Sequence, residues 1–183
     1  MKNLLLIALF AGLPLNIPAA DAPKSAAGKV TATFYINEVK CSTCASALEE
    51  SLRKLPSVSK VDNLSESSGL ANVTFDPKTV SYHQVAQAVF ATDPVHSNPY
   101  IATLKFSIDG YAKGDNAAKV DAILAKHKSE VRAELKNKAK GEFVLFFEPL
   151  KVSSAKKGPQ GWNFDEFAAA VQAAGLKVTL ASE

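Results

Sequence analysis

Apolar and polar positions alternate through Thr31-Ala32-Thr33-Phe34-Tyr35-Ile36, and the β-branched and aromatic residues there predict a strand. From Cys44 to Leu55 the apolar positions change period: Ala45, Leu48, Leu52 and Leu55 recur at about 3.6 residues, which predicts a helix stopped by Pro56. Ser42 or Thr43 is the expected cap. A short strand follows around Val58 to Leu64, then a polar turn from Ser65 to Gly69, then a strand from Leu70 to Phe75 ended by Asp76-Pro77. Ser81 is placed to cap a second helix with Val85, Ala88 and Val89 on one side.

The succession then begins again. Tyr100 to Ile108 alternates as a strand, and a Gly-containing loop leads to a helix carrying Val120, Ile123 and Leu124. Strands are predicted at Val131–Leu135 and Glu142–Phe147, a helix from Phe164 to Ala174 stopped by Gly175, and a closing strand from Leu176 to Leu180. Ala102-Thr103-Leu104 faintly echoes Ala32-Thr33-Phe34. Two split β-α-β units with their helices on one face make an α+β, ferredoxin-like βαββαβ sandwich duplicated in tandem. The expected boundaries are 31–97 and 98–183. The strand at 100–108 is assigned to the second unit, with the first closed by a short segment near Val95.

Residues 1–20 read differently. Lys2, an apolar run from Leu4 to Leu15, and small residues at Ala19, Ala20 and Ala22 have the order of a signal peptide. Residues 21–30, rich in Pro, Ala, Ser and Lys, form an expected flexible leader. The expected location is therefore exported, periplasmic or extracellular. A net charge of +3, with Arg53 and Arg132 the only arginines, gives no basis for a nucleic-acid partner.

The candidate chemistry is Cys41-Ser42-Thr43-Cys44 at a strand-to-helix junction. Two thiolates on one small loop suit Cu(I), Hg(II), Zn(II) or Cd(II), and amides at a helix start favour the ionised sulfur. The same spacing serves a disulfide or a thiol–disulfide redox pair. Lys40 is the nearest cation in sequence. No Ser-His-Asp spacing, paired-carboxylate motif or phosphate-binding glycine loop stands out, and an enzyme is not expected.

The wider context narrows these readings. The strand, Cys-x-x-Cys, the helix with Ala45-x-Ala47-Leu48-Glu49-x-x-Leu52, Leu55-Pro56-Ser57-Val58, the strand end Val73-Thr74-Phe75-Asp76-Pro77, and the helix with Val85-x-x-Ala88-Val89 follow one another in order. Over residues 31–94 this resembles the heavy-metal-associated domain of copper chaperones, copper-exporting ATPases and periplasmic mercury-binding proteins. Two positions depart from that family. Val39 stands near the place of its Met, and Thr92-Asp93-Pro94 replaces its Ala-Gly-aromatic helix ending. The second half resembles a degenerate copy, with Gly110-Tyr111-Ala112-Lys113-Gly114 where cysteines would stand.

Together with the signal-peptide pattern of residues 1–20, the resemblance implies an exported protein that carries or buffers Cu(I), or Hg(II), on Cys41 and Cys44 by ligand exchange. Zn(II) is less suited because it takes four ligands and two are visible. The implied partners are a metal-transporting membrane protein or another thiol-bearing carrier. The alternatives are a redox protein using the same cysteines, and an interaction module whose metal site is vestigial. His96 is a candidate third ligand, weighed against a surface histidine in a Pro-rich linker, which the composition favours. His83 and His127 read as structural or solvated, Trp162 as a core residue, and Lys136, Lys138 and Lys140 as a solvated hairpin edge.

Overall fold

The computed structural model describes residues 28–153 and 156–183, so the expected signal peptide and most of the leader lie outside the described residues. In chain order the elements are β1 (Val30–Ile36), α1 (Ser42–Arg53), β2 (Lys60–Asp62), β3 (Leu70–Phe75), α2 (Tyr82–Phe90), β4 (Ala102–Asp109), α3 (Asn116–Ala125), β5 (Val131–Asn137), β6 (Glu142–Phe147), α4 (Phe164–Ala173) and β7 (Lys177–Leu180). No helix among the described residues is long and apolar enough to cross a membrane.

The strands join in one antiparallel sheet of order β2-β3-β1-β4-β6-β5, with β7 also paired to β4. Residues 30–109 trace β-α-β-β-α-β with sheet order β2-β3-β1-β4. Residues 102–180 trace the same succession with order β5-β6-β4-β7. The fold is therefore the expected α+β, ferredoxin-like arrangement, twice. One strand belongs to both copies. β4 closes the first and opens the second, and residues 91–101 near Val95 form no strand.

The two copies divide one edge of β4 between them. Ala102 and Thr103 pair with Ile36 and Tyr35, while Phe106 to Asp109 pair with Leu180 to Lys177; β6 takes the other edge. Alternation along β4 shows the layering. Ala102, Leu104, Phe106 and Ile108 are buried in the core, Thr103 and Ser107 are half-buried, and Lys105 is exposed with its ammonium 3.6 Å from the Tyr35 ring centre. Leu48 and Leu52 of α1, Val85 and Val89 of α2, Val120 of α3, and Phe167 and Val171 of α4 all enter the same buried cluster.

Aromatic rings fuse the two halves. Trp162, 1% exposed, meets Tyr82 of α2, Phe147 of β6, and Phe164 and Phe167 of α4. It is a core residue, as its neighbours in sequence suggested.

Hydrogen bonds reinforce the join along the segment between β6 and α4. His83 Nε2 donates to the Glu148 carbonyl (2.7 Å), and its Nδ1 accepts from the Trp162 amide (3.2 Å). Leu150 N–H reaches Gln87 Oε1 (2.9 Å), and Gln160 N–H reaches Gln84 Oε1 (3.0 Å). Ser81 and Gln84 form a capping box at the start of α2, and the Ser81 hydroxyl also donates to the Gln160 carbonyl. Gly161 makes the approach feasible. Its φ is +73°, and a Cβ there would stand 2.6 Å from His83 Nδ1.

Two predictions follow from this contact. Gly161→Ala is expected to destabilise the fold by about 1–3 kcal/mol, measurable by urea unfolding. Burial of His83 disfavours its charged form and lowers its pKa below 6.5, although the hydrogen bond to Glu148 opposes this. Below pH 6.5 the unfolded chain then takes up a proton that the folded chain refuses, so stability falls on acidification until the lower folded-state pKa is passed. A thermal melt series from pH 7.5 to pH 5 tests the sign, and His83→Gln should flatten the slope.

Candidate metal centre

The β1–β4 pairing brings two loops together at one end of the sheet. The end of β1 leads into residues 37–41, and β4 begins where residues 91–101 arrive from α2. Beyond the paired strands the loops continue to bind each other. Asn37 N–H donates to the Ile101 carbonyl (3.1 Å), and Ile101 N–H donates to Asn37 Oδ1 (2.6 Å). Glu38 adopts a left-handed backbone (φ +63°), and its carboxylate accepts from Asn98 Nδ2 (3.2 Å) and pairs with Lys40 Nζ (2.5 Å). Val39 turns inward and is buried, filling the apolar position beneath the loop.

α1 starts on the cysteine loop. Its cap is Cys41 itself, rather than Ser42 or Thr43: Cys41 Sγ accepts from the Cys44 amide (3.2 Å), and its carbonyl accepts from Ala45 N–H (3.2 Å). The two sulfurs stand 2.6 Å apart, and both cysteines are free. Cys44 is buried and Cys41 is half-buried. Lys40 does not turn its ammonium to the sulfurs, because Glu38 holds it; the backbone at Lys40 is what hydrogen-bonds Cys44.

Competing effects set the charge state. Burial disfavours the Cys44 thiolate, but hydrogen bonds from Cys41, from the Tyr100 hydroxyl and from the backbone at Lys40 and Cys41 outweigh it and bring the pKa down to about 7. Cys41 moves the other way, chiefly because its thiol is held as a donor to Cys44. The pair therefore gives up its first proton near neutrality and retains the second. Tyr100 is itself buried, and its oxygen accepts from Val95 N–H (3.2 Å).

The structure also delivers His96 to this place. Its ring nitrogen and the two sulfurs all lie within 4.8 Å of one another, a span that one ion can bridge. The sequence pattern favoured a linker residue, although the family resemblance placed this loop on the cysteine side; the structure brings the histidine to the sulfurs. Tyr100 was not singled out at all, since a tyrosine opening a strand reads as core. His83 is taken up by Glu148 and Trp162, and His127 Nδ1 lies 3.0 Å from Glu130 Oε2, so neither joins the cysteines.

No protein-family model matches the chain, and no curated protein does. Among solved structures, the water-soluble region of the P-type ATPase CopA from Bacillus subtilis matches with a TM-score of 0.38 at 19% identity, over 83% of this chain and 91% of that one. The N-terminal soluble domains of Bacillus subtilis CopA match with a TM-score of 0.35 at 18% identity, over 85% and 95%. Likeness at this level decides nothing about chemistry, which rests on the geometry above.

The expected titration has two steps. Thiolate absorbance near 240 nm should rise first around pH 7 and again above the ordinary cysteine range. Tyr100→Phe removes a donor to Cys44 and should move the first step upward; an unmoved first step would remove Tyr100 from the account.

Proposed function

We propose that the chain binds a soft metal ion, Cu(I) before Hg(II), on Cys41 and Cys44, and carries or buffers it by ligand exchange. The observation that supports this best is the pair of free sulfurs at the start of α1, one exposed enough to be reached and one buried. Thiolates are the donors that soft ions select. A first pKa near 7 means that Cys44 ionises at neutral pH with little proton work, and the ion itself displaces the proton that Cys41 retains. The half-exposed Cys41 leaves an approach for an incoming thiolate, so the ion can pass from one sulfur pair to another without being released as a free ion.

In this role the protein performs no catalysis. The partner is a thiol-bearing carrier or a metal-transporting membrane protein, and the compartment is outside the cytoplasm if residues 1–20 direct export. Cd(II) and Zn(II) are weaker candidates for the cargo. A redox role for the pair competes, because the low pKa at a helix start also suits thiol–disulfide exchange.

The discriminating measurement is an anaerobic titration of the reduced protein with Cu(I) against a competing chelator, beside the C41S/C44S variant. One ion per chain, lost in the variant, is the expected result. Binding no better than the variant's would exclude the carrier role and leave the reduction potential of the pair as the next quantity to measure.

A further inference from the structure

We propose that an ion held at the cysteine pair is three-coordinate, with the His96 imidazole as third donor in a Cys2His centre. This rests on the reading that Cys41 and Cys44 bind the ion, and it adds the coordination number and the order in which ligands leave.

The sulfur separation favours three ligands over two. At a metal–sulfur length of about 2.3 Å, a linear two-thiolate ion holds its sulfurs about 4.6 Å apart, and a trigonal one about 4.0 Å. The sulfurs here stand 2.6 Å apart, so either geometry requires them to open, and the trigonal one requires less. Cys44 has little freedom to contribute. It is buried within the first turn of α1, and its own amide is bonded to Cys41 Sγ. Most of the opening therefore falls to the half-buried Cys41, and the exposed His96 stands within 4.8 Å of both sulfurs.

The loop that carries His96 is fastened to the site on both flanks. Before it, Val95 N–H donates to the Tyr100 hydroxyl, and the next residue's amide, Ile101 N–H, donates to Asn37 Oδ1; after it, Asn98 Nδ2 donates to Glu38 Oε2 on the cysteine loop. Pro94 and Pro99 restrict the backbone on either side. The imidazole is exposed, and its charged neighbour is the Glu38 carboxylate, which is already held by Lys40 and Asn98. Supports that orient a metal ligand in this way are what a built site requires.

Two thiolates and an imidazole suit Cu(I). The exposure gradient then orders release. His96 is outermost, Cys41 intermediate and Cys44 buried, so an incoming thiolate displaces the imidazole first and Cys44 lets go last.

X-ray absorption of the full chain loaded with one equivalent of Cu(I) tests this directly. Two sulfur neighbours and one imidazole nitrogen are expected. His96→Gln should retain one ion per chain but show sulfur-only coordination, and lose roughly ten-fold or more in Cu(I) affinity, whereas the control His127→Gln changes neither. Sulfur-only coordination in the wild type, or an unchanged affinity in His96→Gln, overturns the third ligand while leaving the cysteine pair as the binding site. Failure of the wild-type chain to bind Cu(I) overturns both readings.

Discussion

The pairing of Tyr35 and Ile36 with Thr103 and Ala102 is the contact on which the rest of the molecule depends. It is short, yet it places β1 beside a strand that serves a second α/β unit, and so makes one sheet from two repeats. It also fixes where the two loops beyond it meet. A slip of one residue would send Leu104 and Phe106 out of the core and carry the 91–101 loop away from the cysteines. The site is thus a consequence of sheet register more than of the cysteine motif alone.

Register alone would not hold so short a pairing, and the second unit supplies what is missing. α2 delivers the chain to the His96 loop. Its N-terminal end is gripped by His83, Gln84 and Gln87, which bond the segment between β6 and α4, while Tyr82 packs against Trp162. At its other end the Thr92 hydroxyl returns to the Ala88 carbonyl and finishes the helix. The Tyr35 hydroxyl and Asn72 Nδ2 both donate to Glu183, tying the end of the second repeat back to the first across the open face of the sheet. The cysteine-free half therefore acts as a brace for the half with the donors. That removes freedom the exposed loop would otherwise lose only on binding.

Much of this was legible in the sequence because it is written locally. Alternation placed β3 and β6 at the observed residues, and the Ser81 cap and the Pro56 and Gly175 stops bound their helices closely. The cysteine pair fell at its strand-to-helix junction for the same reason. What escaped is non-local. No pattern in residues 100–108 says that one edge of the strand is shared, since alternation reports burial and not the identity of neighbours. The early end of β2 at Asp62 and the turning of Lys40 toward Glu38 depend on partners distant in sequence or on loop geometry, whereas His96 was in view as a third ligand and only its closeness to the sulfurs needed the structure. Cys41 took the cap from Ser42 and Thr43 because the helix begins a residue or two earlier than the apolar period indicates.

The second repeat shows why one half carries the donors. Where the first has its cysteine loop, the second has Gly110 to Gly114, and that turn is packed. Tyr111 is buried edge-on against Phe143, at 5.1 Å between ring centres, and its hydroxyl bonds Asp121. Gly141 presses from the β5–β6 hairpin so closely that a Cβ would stand 2.4 Å from the Ile108 carbonyl oxygen. A turn filled in this way has no room for sulfurs to open around an ion. In the first repeat the corresponding space is bounded by Tyr100, whose hydroxyl faces Cys44 and whose loop stays exposed. The two aromatic residues flank β4 at opposite ends of the sheet, Tyr111 closing the turn of its repeat and Tyr100 standing beside the cysteines. The difference follows from which neighbours each ring meets, so the duplicate can lack every donor and still be required for the geometry of the site.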